Sequence, residues 1–541
     1  MRFLRPAAAV VALLLIAGTG AALYLQDRGG VPSFRAQACA LPREWLVRTQ
    51  RGYHEPRSGQ IAILPVTPAY MASGGQGWSH SGPWPYLQDV PLVAYGPKII
   101  RPAVIDRPVT LADLAPTTAA LMGFGGLRGV EGRVLREVAG SGERPALILT
   151  IIWDGGGWNT LDQWPDAWPN LRRMMERGAL YRRATVGSSP SVTPAVHSTI
   201  GTGLFPKDHA ITGVPVRDEA GVVVDAFLEG ESSRFLIAPT VGELWDEANE
   251  NRARIGLLGY EPWHLGMIGK GAEKPGGDRD HAVWVDHETS EWKTNPAHYE
   301  LPPSVAAADG LEEDVRRLDA ADGEIDRAWG DLEILDIPDR LEETPAFVHY
   351  HGRALRRMIA REGYGADRVT DLLYTNFKQI DRVGHYFNMA SDQVRQNLVA
   401  SDRELGRTLA FLDEEVGRGN YVVFLTADHG QQPDQDAIDG YGINPRELEA
   451  DIDREFGPIT RAAWPTEVFL LEDEMEARGV QIADVARFLG GYRLIENTGD
   501  PAVKVAGKGV FDPTDRLFDL AIPASLLPRI TCSGGDPSAR R

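Results

Sequence analysis

Cysteine is nearly absent: Cys39 and Cys532 are the only two in 541 residues. That excludes a disulfide-rich scaffold and any cysteine-based zinc cluster. Positive charge is also in deficit, with 56 Lys and Arg against 76 Asp and Glu and a formal net charge of −20. Such a chain repels a phosphate backbone overall, so binding to a nucleic-acid scaffold is not expected. A small phosphorylated substrate stays open, because bound metal ions reverse the field locally. Internal repeats are missing, and so is any second long apolar run after the first 25 residues. The rest is ordinary. With 43% apolar and 24% charged residues, the chain is globular, not disordered or fibrous. At roughly 150 residues per domain the length suggests three or four domains.

Arg2 and Arg5 precede an apolar run over residues 6–25. Roughly 20 apolar residues can span a bilayer, and basic residues on the near side keep that end in the cytoplasm. The expectation is a membrane anchor, or a signal peptide cleaved after export. Either version puts the body of the protein outside the cytoplasm.

Aliphatic and β-branched runs at 61–66, 90–95, 147–153, 253–258, 372–377 and 422–426 alternate with helical spacing at 171–177, 241–248 and 401–416. Continuous apolar strands separated by helices predict an α/β fold, a mostly parallel central sheet covered by helices on both faces. The Gly/Ser/Pro-containing stretch 139–145 reads as a linker. It divides the chain into a leading segment 1–30, a section 40–138 and a remainder 146–532. Residues 261–336, irregular and rich in Trp, Gly and charge, are expected to form a cap or insertion over the sheet edge.

Three predicted strands end in metal-ligand residues. The 147–153 run leads into Asp154-Gly155-Gly156-Gly157, the 422–426 run into Ala427-Asp428-His429-Gly430, and the 372–377 run reaches Asp381 and His385 within a few residues. Open α/β sheets gather ligands at the carboxyl ends of their strands. Adjacent residues on a strand point to opposite faces, so Asp428 and His429 converge only if the chain turns, which Gly430 permits. Asp and His without Cys suit zinc, with other divalent ions open.

The stretch Ser191-Val192-Thr193-Pro194 opens a predicted helix. Proline favours the first helical positions, which puts Thr193 at or beside the N-cap. Free N–H groups there favour an oxyanion, and a metal held by the threonine oxygen would make it a nucleophile. Thr193 as a mere cap is the plain alternative. His197, one turn on, is expected to pack beside the site, not to bind metal.

These residues resemble the alkaline phosphatase superfamily, nearest its nucleotide pyrophosphatase/phosphodiesterase branch. Gly203-Leu204-Phe205-Pro206-Lys207-Asp208-His209 is similar to the family's segment after the nucleophile helix. The resemblance implies a hydrolase of phosphoric esters with two zinc ions, one held by Asp154, Thr193, Asp428 and His429, the other by Asp381, His385 and a further histidine near the carboxyl end. No histidine follows His429. Trp78-Ser79-His80-Ser81-Gly82, followed by Val90-Pro91-Leu92, is similar to that carboxyl-terminal section and stands here at the amino end. Circular permutation of section 40–138, with His80 as the missing ligand, is therefore expected; His54 and His209 are the alternatives. The family's phosphoryl-contacting asparagine is absent, and Arg217 is the candidate substitute. Permutation would also bring Cys39 and Cys532, each near a cut end, together as a disulfide in an oxidising compartment. Rival readings on the same scaffold are a phosphomonoesterase, a phospho-group transferase and a catalytically inactive, membrane-tethered binding protein.

Overall fold

The computed structural model describes residues 30–71, 78–140, 142, 144–438, 440–497, 512 and 514–532. The apolar run 6–25 lies outside them. Among the described residues no helix is long and apolar enough to cross a membrane.

The chain forms two compact units. The larger comprises Glu44–Ser58 and Ala72–Ile438, the smaller Met1–Arg43, Gly59–Met71 and Asp439–Arg541. The expected division at 139–145 is thus not the one the chain makes, since each unit draws on residues from both sides of that linker.

A ten-stranded sheet forms the larger unit. Its centre is parallel: His281–Asp286, Ile255–Leu258, Asp371–Phe377, Leu147–Trp153 and Tyr421–Thr426 lie side by side in that order. Successive residues of Leu147–Trp153 enter opposite cores. Ile148 and Ile152 pack in one layer with Phe424 and Leu372, while Leu149, Ile151 and Trp153 pack in the other with Val423 and Leu373. Both faces are covered, which is why these strands read as unbroken apolar runs rather than alternating ones.

One strand runs against the others in the neighbourhood of the site. Asp89–Tyr95 pairs antiparallel with Tyr421–Thr426, Leu92 opposite Thr426 and Tyr95 opposite Val423. Its amino end therefore lies at the carboxyl edge of the parallel strands, and the chain leading into it arrives at the edge where Asp154 and Asp428 emerge. His80 comes from that lead-in segment.

Two expectations need correction. The 261–336 region is not only a cap: His281–Asp286 pairs parallel with Ile255–Leu258 and extends the central sheet. Val283 and Val285 bury one face of it and Ala282 and Trp284 the other. The 61–66 run forms a strand, Ile61–Pro65, but outside the parallel sheet. It sits in a four-stranded sheet of the smaller unit between Glu467–Leu470 and Phe518–Pro523, antiparallel to both. Five consecutive buried residues look alike in either setting.

Cys39 and Cys532, both in the smaller unit, are disulfide-bonded with Cα atoms 5.6 Å apart and a separation of 493 positions in sequence. A loop of that length gives a chain-entropy stabilisation on the order of 5–6 kcal/mol, an upper bound because engineered bridges usually deliver less. Cys39→Ser should therefore lower the denaturant midpoint of the smaller unit. The hydrolysis that the resemblance implies should persist at room temperature, because every residue of the site below belongs to the larger unit. Coincident loss of both would contradict this separation.

Candidate active site

The site is assembled from the ends of three parallel strands, two helices and the segment before Asp89. Asp154 follows Leu147–Trp153, and Gly155 turns the chain at once. Gly155 has φ +67°, and a Cβ there would meet Gln431 and Asp381. Its N–H donates to Asp428 Oδ1 at 3.2 Å, tying two strand ends together. Gly430 has a different reason: a Cβ would lie 2.1 Å from the Tyr86 carbonyl oxygen, so only glycine allows that approach. Asp381 and His385 stand one turn apart on helix Gln379–Phe387.

Every expected ligand is buried. Asp154, Asp428 and His429 are fully enclosed, Asp381 and Thr193 nearly so, and His80 and His385, each 8% exposed, are the most open. All three histidines are oriented alike. His80 Nδ1–H donates to the Ser191 carbonyl at 3.0 Å, His429 Nδ1–H to the Gly430 carbonyl at 3.0 Å, and His385 Nδ1–H to the Trp78 carbonyl. A carbonyl can only accept, so Nδ1 carries the proton in each and Nε2 presents its lone pair. A carbonyl that holds Nδ1–H in this way fixes the ring and its tautomer, leaving Nε2 to bind a metal ion.

The three Nε2 atoms face carboxylates at separations too long for hydrogen bonds. His80 Nε2 lies 3.4 Å from Asp381 Oδ1, His385 Nε2 3.4 Å from Asp381 Oδ2, His429 Nε2 3.3 Å from Asp428 Oδ2 and 3.5 Å from Asp154 Oδ1. Ligands about 2.0 Å from a tetrahedral ion are spaced at about 3.3 Å. His429 Nε2, Asp428 Oδ2 and Asp381 Oδ1 are buried with no hydrogen-bond partner. Native proteins rarely leave such atoms orphaned, so the donor set fits divalent ions. His80, Asp381 and His385 converge on one another as the expected second group; His429 converges with Asp154 and Asp381 rather than with Asp428, and Asp154 also converges with His197 and His264.

Thr193 is not a helix cap. Helix Thr193–Thr202 has Val192 at its N-cap with no side-chain capping bond, and Pro194 occupies the first turn. The Thr193 hydroxyl is free for another task, and its oxygen accepts from Lys378 Nζ at 3.0 Å. His197 is buried beside the cluster, its Nε2 3.6 Å from Asp428 Oδ2 and its Nδ1 3.1 Å from His264 Nδ1.

Lys378 and Asn376 escaped sequence reading. Asn376 Nδ2 donates to Asp154 Oδ2 and Lys378 Nζ to Asp154 Oδ1, both at 2.8 Å. The available signal for Lys378 was its place, the first residue past a strand and one helical turn before Asp381. The alternatives for the missing histidine are engaged elsewhere: His54 Nδ1 bonds the Lys207 carbonyl and His209 Nε2 the Thr199 hydroxyl. Arg217 lies on a two-stranded hairpin, where its Nε donates to the Ser58 carbonyl at 2.9 Å and its own carbonyl accepts from Arg57.

Electrostatics fit a cation-binding centre. Burial holds His80 well below the usual imidazole range and His429 at about 3, so both are neutral. Burial, with Asp428 beside it, pushes Asp154 well above the usual carboxylate range. Burial likewise raises Asp428, to about 7, with Lys378 opposing and Asp381 adding to the rise. A raised carboxyl stabilises the metal-free fold below its unfolded value, and that contribution is lost as pH rises through the folded value. In chelator-treated protein the unaltered chain should therefore lose stability relative to Asp428→Asn between about pH 4 and pH 7, read as the denaturant midpoint. The buried neutral histidines, which act in the opposite direction, are common to both proteins and cancel from the comparison. A difference that stays constant across that range would contradict the raised Asp428 carboxyl.

Comparison with known proteins gives the family and the fold. A family model described as type I phosphodiesterase / nucleotide pyrophosphatase matches residues 148–483. Alkaline phosphatase PafA of Elizabethkingia meningoseptica is 23% identical over 448 residues, covering 72% of this chain and 78% of that protein. Alkaline phosphatase PhoV of Synechococcus elongatus and a protein named calcium-transporting ATPase of Myroides odoratus are each 23% identical. Each match spans 53% of this chain, with 59% and 60% of their own lengths covered. The crystal structure of wild-type PafA superposes with a TM-score of 0.53 at 22% identity, over 64% of this chain and 76% of that one, a likeness of fold.

Proposed function

The chain belongs to the type I phosphodiesterase / nucleotide pyrophosphatase family, and from that premise we propose that it is a metal-dependent phosphoric ester hydrolase acting through Thr193 and two divalent ions, most suitably zinc. The observation that carries this reading is the common orientation of His80, His385 and His429: each has Nδ1–H spent on a backbone carbonyl and Nε2 turned to a buried carboxylate. Asp154, Thr193, Asp428 and His429 would hold one ion, and Asp381, His385 and His80 the other. Divalent ions held there would supply positive charge to the phosphoryl oxygens and to the attacking and leaving oxygens.

The chain's own contribution is positioning. Thr193 Oγ stands at the start of a helix whose first N–H groups face the incoming phosphate. As Oγ forms its bond to phosphorus, the bond to the leaving alcohol oxygen breaks. The hydroxyl proton is released to water, and the leaving oxygen takes up a proton. Water then attacks the phosphorus of this intermediate and returns a proton to Oγ, giving the free threonine and either phosphate, from a monoester, or a phosphate monoester, from a diester. The buried cluster keeps competing solvent from the attacking oxygen.

We further propose that section 40–138 is the family's carboxyl-terminal section placed first. Two features support this: an antiparallel strand leads His80 to the ligand edge, and a disulfide joins the two proposed cut ends. The disulfide also supports a location outside the cytoplasm; the membrane anchor at residues 6–25 remains part of this proposal.

The family name favours diesters or pyrophosphates as substrates. The similarity to PafA, which covers 78% of that protein, favours monoesters as the second reading. Nitrophenyl phosphate and bis-nitrophenyl phosphate, assayed side by side, separate the two by their kcat/KM ratio. Hydrolysis of at least one, lost to chelator and restored by zinc, is expected. Hydrolysis of neither by metal-reconstituted protein would leave the inactive binding protein as the surviving reading.

A further inference from the structure

Lys378 is a cation that the family reading does not call for, placed at the centre of the site. Its side chain is 3% exposed. The ammonium donates to Asp154 Oδ1 at 2.8 Å and to Thr193 Oγ1 at 3.0 Å, and it pairs with Asp381 Oδ2 at 2.7 Å. An ammonium has three donors and no acceptor, so these three partners use it fully and fix its position. The threonine oxygen must be the acceptor in the shared hydrogen bond. One lone pair of Oγ is committed to the lysine, which restricts where its proton and remaining lone pair point.

A buried lysine among metal-ligand carboxylates has two possible uses. As a strut it would hold Asp154 and Asp381 in place for the metals. As a charge it would act on the oxygen it touches. The contact with Thr193 Oγ1 is the observation a strut does not require.

Resting on the reading of Thr193 as nucleophile, we propose that Lys378 is a catalytic residue, a fixed ammonium that orients the attacking oxygen of Thr193 and stabilises the negative charge that develops there. While the Oγ–P bond forms and the bond from phosphorus to the leaving oxygen breaks, the proton from Oγ goes to water and Lys378 keeps all of its own. When water later displaces Oγ from phosphorus, the same ammonium meets the charge returning to that oxygen. Preorganised donors of this kind cost no reorganisation during the reaction.

Lys378→Met, with Lys378→Gln as a second neutral variant should the first fail to fold, separates the two uses by the sign of a change that does not depend on turnover. Removing a positive charge next to two ligand carboxylates should leave zinc affinity, measured by chelator competition, unchanged or tighter. Removing a strut should weaken it. The proposal predicts zinc binding at least as tight as in the unaltered protein, KM within about threefold, and kcat lower by about 100-fold, the scale of one lost oxyanion donor. Weaker zinc binding, or kcat within threefold of the unaltered protein, would overturn it. If the unaltered protein itself binds no metal and hydrolyses no ester, the parent reading has failed and this one with it. A normal parent beside an unaffected variant isolates the failure to Lys378.

Discussion

Thr193→Ala should lower turnover by about four orders of magnitude while both metal ions stay bound. Removing a nucleophile that acts as part of a unit costs most of the rate enhancement. The carboxylates and imidazoles that would hold the ions do not depend on the hydroxyl, since Asp428 and His429 leave the end of one strand and Asp154 another. The substitution should also be mild for the fold, because Thr193 makes no cap bond to its helix. Steady-state kinetics and elemental analysis of the same preparation check both halves. Near-normal turnover would mean that water attacks phosphorus directly and that Thr193 only fills space beside Lys378.

His80→Ala should cost one metal ion of two and reduce hydrolysis by at least roughly 100-fold, more than the loss of a residue that merely supports a ligand. His80 faces Asp381 and packs against both other histidines proposed as ligands, with ring centroids 3.6 Å from His429 and 4.9 Å from His385. Ser191 secures it twice: its carbonyl accepts from His80 Nδ1–H, and its hydroxyl donates to the His80 carbonyl at 2.7 Å. His54→Ala and His209→Ala should leave the metal count at two. Loss of an ion in either of those, with His80→Ala unaffected, would remove the basis for reading 40–138 as a permuted section.

Much of this site was legible in the sequence because its chemistry lies where strands end. Asp154, Asp428-His429 and Asp381 with His385 each follow a buried apolar run, and a parallel sheet brings such ends to one edge. Thr193 was legible from Pro194, which marks the helix start. His80 was legible only through family resemblance, because no local pattern says that a loop histidine ten residues before a strand will reach a site built from residues 154–429. The direction of Asp89–Tyr95 delivers it, and pairing direction is not written in apolar content. Lys378 and Asn376 were invisible for a related reason. A lone polar residue at a strand end is usually solvated, and only the closeness of Asp154, Asp381 and Thr193 makes these two part of the site. The strand at 61–65 was misplaced because burial on both faces does not say which sheet a strand joins, and the one at 281–286 was missed inside a stretch rich in Trp, Gly and charge.

The most direct measurement is the metal content of the purified, unaltered protein by elemental analysis, before and after dialysis against a chelator, with ester hydrolysis followed in the same samples. The account predicts two tightly held divalent ions per chain, their removal together with activity, and recovery of both on adding zinc. A protein that carries no metal as purified and hydrolyses phosphoric esters at full rate in excess chelator would contradict it.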